Sequence, residues 1–205
     1  ATLAPLPAWD PNVAFGTRAS SPFADAGLET RYSLDNPMAL GNITGESGFL
    51  SASPGGVLLA ARTPDEDALV YTIRSALSSL CLSVMDFLPG SAFSGGHGGA
   101  PIRWNVLVDA ILAVAYAKPV RVRLLFSRWM HTDERQRVAI RRLAGGLAAC
   151  EHDKWQPCRG SLEVREFMVP GWNDTLLWPP YTRVNHAKYI VTDQRLNVAT
   201  SNFEW

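Results

Sequence analysis

The residues best suited to catalysis lie near the carboxyl end of the sequence. His186, Lys188 and Asp193 follow the spacing H-x-K-x4-D, and a turn of small residues after them ends in Ser201-Asn202. In an extended segment alternate side chains share a face, so His186 and Lys188 should point the same way, about 7 Å apart along the chain. An imidazole can attack phosphorus while the ammonium and the amide hold the non-bridging oxygens. The spacing therefore predicts chemistry on a phosphate ester.

A second H-x-K sequence, at His152 and Lys154, provides an internal comparison. No aspartate stands five residues after that lysine, and neither an apolar strand nor a small-residue turn follows it. We therefore interpret this copy as a polar loop.

The composition is that of an ordinary globular chain, with 205 residues, 47% hydrophobic and 19% charged. Because 19 Lys and Arg balance 19 Asp and Glu, a general basic field for nucleic acid is excluded, and an anionic substrate must meet a local patch. The sequence contains no run of about 18 apolar residues, so no membrane span is predicted within it. The sequence starts at Ala1 without a methionine and stops at Trp205 directly after the motif, so we expect a fragment of a longer protein.

The cysteines and the glycosylation sequons bear on the compartment. Cys81 lies in an apolar run and is predicted to be a small buried hydrophobe. Cys150 and Cys158 flank a polar loop, and both a disulfide and a free pair are compatible with that spacing. The sequence contains no C-x-x-C and no paired His/Cys spacing of the kind that indicates a zinc site. Sequons at Asn42 and Asn173 favour a secretory route.

The elements that must position the motif follow from hydrophobic patterning. Residues 1–60 are rich in Pro, Gly and Ser and are predicted to be a loop-rich lead-in, whereas 61–205 form the second domain. Thr63-Pro64-Asp65-Glu66 has the pattern of a helix start. The predicted inner face of that helix consists of Leu69, Ile73, Ala76 and Leu77. The predicted helices cover about 63–78, 104–117 and 133–149, and the predicted strands about 48–52, 80–87, 120–126 and 161–169. This alternation predicts an α/β fold.

Several further residues have two interpretations each. His97, in a Gly-rich loop, is a surface residue or lines the substrate. His131 follows a strand end and is a capping or surface residue or a substrate contact. Asp86 is a structural acid near a turn or approaches the site. Arg121 and Arg123 alternate along a strand, either on a solvated edge or in a polar groove. Four aromatic residues are interpreted either as core residues or as stacking surfaces for bases: Trp104, Trp172, Trp178 and Phe203.

The motif of His186, Lys188, Asp193 and Asn202 resembles the HKD signature of the phospholipase D superfamily. The similarity covers roughly residues 15 to 205 and is to the second half of the lysosomal phospholipase D-like exonucleases and their poxviral nicking-joining relatives. The other matching segments are Thr30-Arg31-Tyr32, Pro37-Met38, Leu50-Ser51-Ala52-Ser53-Pro54, Arg62-Thr63-Pro64-Asp65, Ser83-Val84-Met85-Asp86-Phe87-Leu88-Pro89, Trp104, Asp109 and residues 120–125. The resemblance implies a mixed sheet flanked by helices, with one HKD half in this chain.

The resemblance also implies a mechanism that needs neither metal nor cofactor. His186 would be one of two active-site histidines, of which one forms a phosphohistidine and the other protonates the leaving oxygen. Lys188, Asn202 and Ser201 would bind the phosphate, and Asp193 would orient and support the catalytic residues. The expected substrate is single-stranded DNA or RNA, and a phospholipid diester is the alternative.

Two departures from the family pattern affect these expectations. The family builds one site from two HKD motifs, so a missing N-terminal half or a second copy of the chain would have to complete it. Ala199 stands where glycine is common, and the sequence ends at Trp205, before the strands that usually close the domain. A non-catalytic structural or envelope-associated fragment is therefore a further alternative. The lumen of the endomembrane system or lysosome is the favoured location, and a viral or membrane-associated one stays open.

Overall fold

The computed structural model describes residues 32–41, 45–53, 58, 62–91, 102–151, 153–170 and 182–204. The chain divides into two compact units, residues 1–68 and 69–205. The predicted domain boundary, between residues 60 and 61, lies outside the described residues. Predicted features outside them are His97, His152, Trp172, Trp178 and the sequons at Asn42 and Asn173.

The first unit contains two short strand pairs. β1, Met38–Ala39, is antiparallel to β2, Ser47–Gly48. β3, Ser51–Ala52, is parallel to β4, Thr63–Pro64. The connection from β1 to β2 has positive φ at Gly41 (56°) and Gly45 (88°). Because side chains disfavour that region, glycine is suited to both positions.

The second unit is built on a five-stranded mixed sheet with the order β7-β6-β5-β8-β9. Its strands are β5, Ser79–Val84; β6, Arg121–Ser127; β7, Ser161–Phe167; β8, Lys188–Thr192; and β9, Leu196–Val198. β5, β6 and β7 are parallel, whereas β8 is antiparallel to β5 and β9 is antiparallel to β8. The carboxyl ends of β5, β6, β7 and β9 therefore meet the amino end of β8 at one edge. The predicted α/β class with a mixed sheet is confirmed.

The described residues of the chain form four helices: α1, Asp65–Ser75; α2, Val106–Ala117; α3, Glu134–Ala144; and α4, Ala148–Glu151. The single helix predicted for 133–149 is wrong, because α3 ends at Ala144 and a turn separates it from α4. The turn is close-packed at Gly146, where an added Cβ would lie 2.5 Å from a side-chain carbon of Leu112. Gly146 therefore allows the turn to approach α2.

The core lies against one face of the sheet. Its strand residues are Leu80, Leu82, Val84, Val122, Leu124, Phe126 and Ile190, and its helix residues include Leu107, Ile111, Val114, Ile140 and Leu143. The alternating strand pattern places these side chains on one face and leaves the intervening ones on the other.

Two predicted core residues lie elsewhere. Cys81 is only half-buried, because it lies between Leu80 and Leu82 on β5 and points to the opposite face. Its Sγ accepts a hydrogen bond from the Arg123 guanidinium at 3.1 Å. Leu77 is 58% exposed, because α1 ends at Ser75. Both burial predictions are therefore wrong.

Cys150 and Cys158 form a disulfide with their Cα atoms 5.2 Å apart. The spacing had left the redox state open, and the fold places the pair in bonding geometry. In the part of the chain that the structure describes, no helix combines the length and apolarity needed to cross a membrane.

Candidate active site

His186 and Lys188 lie together at the edge where the parallel strands end. Lys188 begins β8 and is paired with Val84, the last residue of β5. Its ammonium Nζ lies 3.2 Å from His186 Nε2 and 3.3 Å from Nδ1, and it donates to the His186 carbonyl at 3.3 Å. Lys188 is buried and His186 is exposed. The ring is therefore accessible to a ligand, and the buried ammonium contacts its two nitrogens.

Asp86 connects this pair to the rest of the motif. It follows β5 by two residues, and its carboxylate accepts hydrogen bonds from Trp129 Nε1 at 3.4 Å and Asn202 Nδ2 at 3.2 Å. Burial raises the pKa of Asp86, and the Trp129 hydrogen bond with the charges of Lys188 and His186 opposes that shift. Of the two interpretations of Asp86, the structure supports the one that places it at the site.

Burial is also the largest influence on the ammonium of Lys188, and it shifts the pKa in the opposite direction because the charged form is the protonated one. Burial lowers its pKa, and the attraction of Asp86 raises it. The site thus combines a desolvated cation with a desolvated acid, and both are sensitive to a bound anion.

The small-residue turn reaches the site through Asn202, which is half-buried, whereas Ser201 is exposed in the same turn. Backbone bonds fix this turn against the end of β5, because Phe203 N–H donates to Asp86 O and Leu88 N–H donates to Phe203 O, each at 3.0 Å. Phe203 is 1% exposed and therefore belongs to the core and not to a stacking surface.

A buried amide, Gln136 of α3, holds the strand ends that present these residues. Its Oε1 accepts from Phe87 N–H at 3.0 Å, and its Nε2 donates to the carbonyls of Ser127 at 3.4 Å and Met85 at 3.5 Å. Ser127 Oγ in turn donates to the carbonyl of Asn185, next to His186, at 2.6 Å. The ends of β5 and β6 and the segment before β8 are thereby joined.

Sequence reasoning missed Gln136, although a signal was present. Gln136, Ile140 and Leu143 share the buried face of α3 at helical spacing. A polar residue at a core position of an amphipathic helix needs hydrogen-bond partners inside the protein. The pattern could have identified Gln136 as a buried polar residue but not its partners.

The structure places Asp193 away from His186. It lies past the far end of β8, roughly 17 Å from Lys188 at the rise of an extended strand. Its Oδ1 accepts from the backbone N–H groups of Leu77 at 3.0 Å and of Ser78 and Ser79 at 3.1 Å. These bonds hold the pKa of the carboxyl well below its usual range. Asp193 therefore anchors the turn between α1 and β5 to the end of β8.

The remaining candidates fall into two groups. His131 stacks edge-on against Trp129, with ring centroids 4.8 Å apart, so it lies one side chain away from Asp86. Arg121 and Arg123 occupy the beginning of β6, at the opposite edge from the site, and Arg121 pairs with Glu163 at 3.6 Å. These arginines lie on a solvated sheet face. Within the described ranges, no group of three or more His, Cys, Asp and Glu side chains is arranged as a metal site.

Comparison with known proteins assigns the chain to a family. The family described as "PLD3/4, PLD-like domain" matches residues 28–171. Phospholipase D Z of Dictyostelium discoideum is 37% identical over 156 residues, which are 76% of this chain and 32% of that protein. The 5'-3' exonuclease PLD3 of Bos taurus is 34% identical over 177 residues, 85% of this chain and 34% of that protein.

The chain therefore belongs to the PLD3/4 family of PLD-like domains in the phospholipase D superfamily, and the predicted resemblance is confirmed. The chain spans about a third of the length of these relatives. Among solved structures it is similar to NucT from Helicobacter pylori, with a TM-score of 0.40 and 13% identity over 68% of this chain and 67% of that one. The assignment rests on the sequence relatives.

Proposed function

We propose that this chain supplies one half of the active site of a metal-independent phosphodiesterase that hydrolyses single-stranded nucleic acid through a phosphohistidine. The observation that carries the proposal is the contact of the buried Lys188 ammonium with both ring nitrogens of the exposed His186, at 3.2 and 3.3 Å. A cation at this distance stabilises the negative charge that develops on phosphate oxygens when the ring attacks.

In the first step, an imidazole nitrogen forms a bond to phosphorus and the ester P–O bond breaks. The leaving oxygen takes a proton from the second histidine, which the missing N-terminal half or a second copy of this chain supplies. In the second step, that histidine accepts a proton from water, the resulting oxygen attacks phosphorus, and the N–P bond breaks. Lys188, Asn202 and Ser201 bind the non-bridging oxygens, and Asp193 acts as a positioning residue.

The choice of nucleic acid is supported by relatives whose name is 5'-3' exonuclease PLD3. The second candidate is hydrolysis or transfer on a phospholipid diester, and the name of the Dictyostelium relative, Phospholipase D Z, favours it. The disulfide between Cys150 and Cys158 supports a location in an oxidising compartment, such as the endomembrane or lysosomal lumen.

The test is incubation of the protein, in excess EDTA, with a 5'-hydroxyl single-stranded DNA oligonucleotide between about pH 5 and about pH 7.5, where histidine titrates. His186→Ala should abolish loss of nucleotides, whereas the matched His152→Ala, in the second H-x-K sequence, should retain it. The assay is run on this chain and on a longer polypeptide that restores the missing half.

Equal cleavage by the parent and His186→Ala would remove His186 from the mechanism. Cleavage of a phospholipid diester but not of DNA would contradict the nucleic acid substrate and support the second candidate, a phospholipid. No cleavage of either substrate by the longer polypeptide would contradict the enzymatic proposal.

A further inference from the structure

The side chain of Asn202 is held between two carboxyl groups. Its Nδ2 donates to Asp86 Oδ2 at 3.2 Å, and the amide also lowers the pKa of the neighbouring Glu204 carboxyl. Its Oδ1 is buried and has no hydrogen-bond partner among the residues that the structure describes. The donors of the amide thus face acids, and its unfilled position is an acceptor. In this orientation the amide presents an acceptor at its unpaired position, which disfavours an anion there.

Asp86 is surrounded by both positively and negatively charged groups. Lys188 on β8 and the adjacent His186 attract its negative charge, Trp129 after β6 donates to it, and Asp133 before α3 repels it. A phosphate that binds Lys188 would approach this carboxylate and raise the cost of its ionisation. The acid therefore competes with the substrate both for the amide and for the cation.

Glu204 is surrounded by a similar set of charges. Burial raises its pKa, and the negative charges of Asp86 and Asp133 add to that shift, whereas the Asn202 hydrogen bond and Arg135 oppose it. Arg135 is already paired with Asp133, at 2.7 Å. Two partly buried acids that repel each other are poorly suited to being ionised together.

We propose that Asp86 and Glu204 form a carboxyl gate, in which uptake of one proton releases the Asn202 amide to bind a phosphate oxygen. The inference rests on the proposed function, in which Asn202 binds phosphate. The proton comes from solvent and joins a carboxylate oxygen, and no other covalent bond changes. A neutral carboxyl is a weaker acceptor and is also a donor, so it can satisfy the amide oxygen when the amide reorients. The gate makes phosphate binding stronger at acidic pH.

Sulfate is the appropriate probe, because it is a tetrahedral oxyanion and stays doubly charged across the range tested. Its binding to the chain is measured by calorimetry between about pH 5 and about pH 7.5. Repeating the titration in buffers of different ionisation enthalpy gives the number of protons taken up on binding. Only the part of that uptake that the gate variants remove is assigned to the gate.

Asp86→Asn mimics the protonated carboxyl. It should bind sulfate roughly tenfold more tightly than the parent near pH 7.5 and take up about one proton fewer. Glu204→Gln should also bind sulfate more tightly and take up fewer protons than the parent. It replaces Asp86→Asn as the test if circular dichroism shows that Asp86→Asn does not fold. Glu163→Gln, the same replacement on β7 away from the site, should match the parent.

The outcomes separate the gate from the proposed function. If Lys188→Met abolishes sulfate binding but the gate variants keep the parental proton uptake, the gate is overturned and the phosphate site stands. If the parent does not bind sulfate, or binds it equally well after Lys188→Met, both proposals are overturned.

Discussion

Lys188 shows how one side chain depends on the fold around it. It is 7% exposed, and desolvation of a charge is unfavourable unless something compensates. Asp86 and the His186 carbonyl supply that compensation. A buried ammonium next to an open imidazole suits a residue that must bind an anion during a reaction.

Replacement of Lys188 by Met removes the charge and keeps an unbranched side chain of similar length. We expect kcat to fall about 10²- to 10³-fold, because one stabilising group for the phosphoryl oxygens is lost. Steady-state kinetics on an oligonucleotide measures this effect. Lys154→Met is the matched control, since Lys154 belongs to the other H-x-K sequence and is exposed. Equal losses in both variants would argue against a specific role for Lys188.

The elements are connected to one another by side chains at their ends. Gln136 connects α3 to the ends of β5 and β6, and Asp193 connects the end of β8 to the turn between α1 and β5. The last aspartate of the motif therefore supports the sheet that carries its first two members.

The pKa of Asp193 leads to a prediction about stability. Because the folded-state pKa lies below the ordinary value of 3.8, the charge stabilises the fold above that value. This contribution is lost as pH falls through the lower, folded-state pKa. Asp193→Asn keeps an acceptor but loses the charge, so its free energy of unfolding should be lower than the parental one at neutral pH. The difference should shrink below pH 3.8.

Denaturant unfolding at neutral and acidic pH measures this difference. Asp109→Asn, an exposed acid on α2, is the control and should leave the neutral-pH stability close to the parental one. If Asp193→Asn unfolds at the parental denaturant concentration at neutral pH, the anchoring role is wrong.

At the scale of the whole molecule, the described site contains one histidine that approaches Lys188. The proposed two-histidine mechanism needs a second HKD half, and the chain spans about a third of its relatives. The source of the second half decides how activity depends on concentration.

If two copies of this chain complete one site, turnover per chain should rise with chain concentration until the dimer is saturated. If the missing half must be supplied, turnover per chain should be negligible at every concentration and should appear when the longer polypeptide is used. Rate measurements over a wide dilution series, with sedimentation velocity alongside, distinguish the two cases. High activity of this chain at concentrations where it sediments as a monomer would contradict both.

Much of the fold and part of the site were accessible from the sequence by itself. Hydrophobic periodicity located the main helices and strands, because the repeats of helix and strand are local properties of the chain. The H-x-K spacing placed His186 and Lys188 together, because alternate residues of an extended segment share a face. Cys81 was misassigned because an apolar run does not reveal which face of a strand is covered.

Tertiary structure alone decided which distant residues join that pair. Asp86 and Asn202 are 116 residues apart, and Gln136 reaches Phe87 across 49 residues. Asp193 meets the turn at residues 77–79 across 114 to 116 residues. Local patterning encodes the elements, but strand order and direction determine which loops meet at one edge of the sheet. The sequence therefore predicted the Lys188 ammonium and the His186 ring. The fold decided that Asp86 and Glu204 lie near the Asn202 amide.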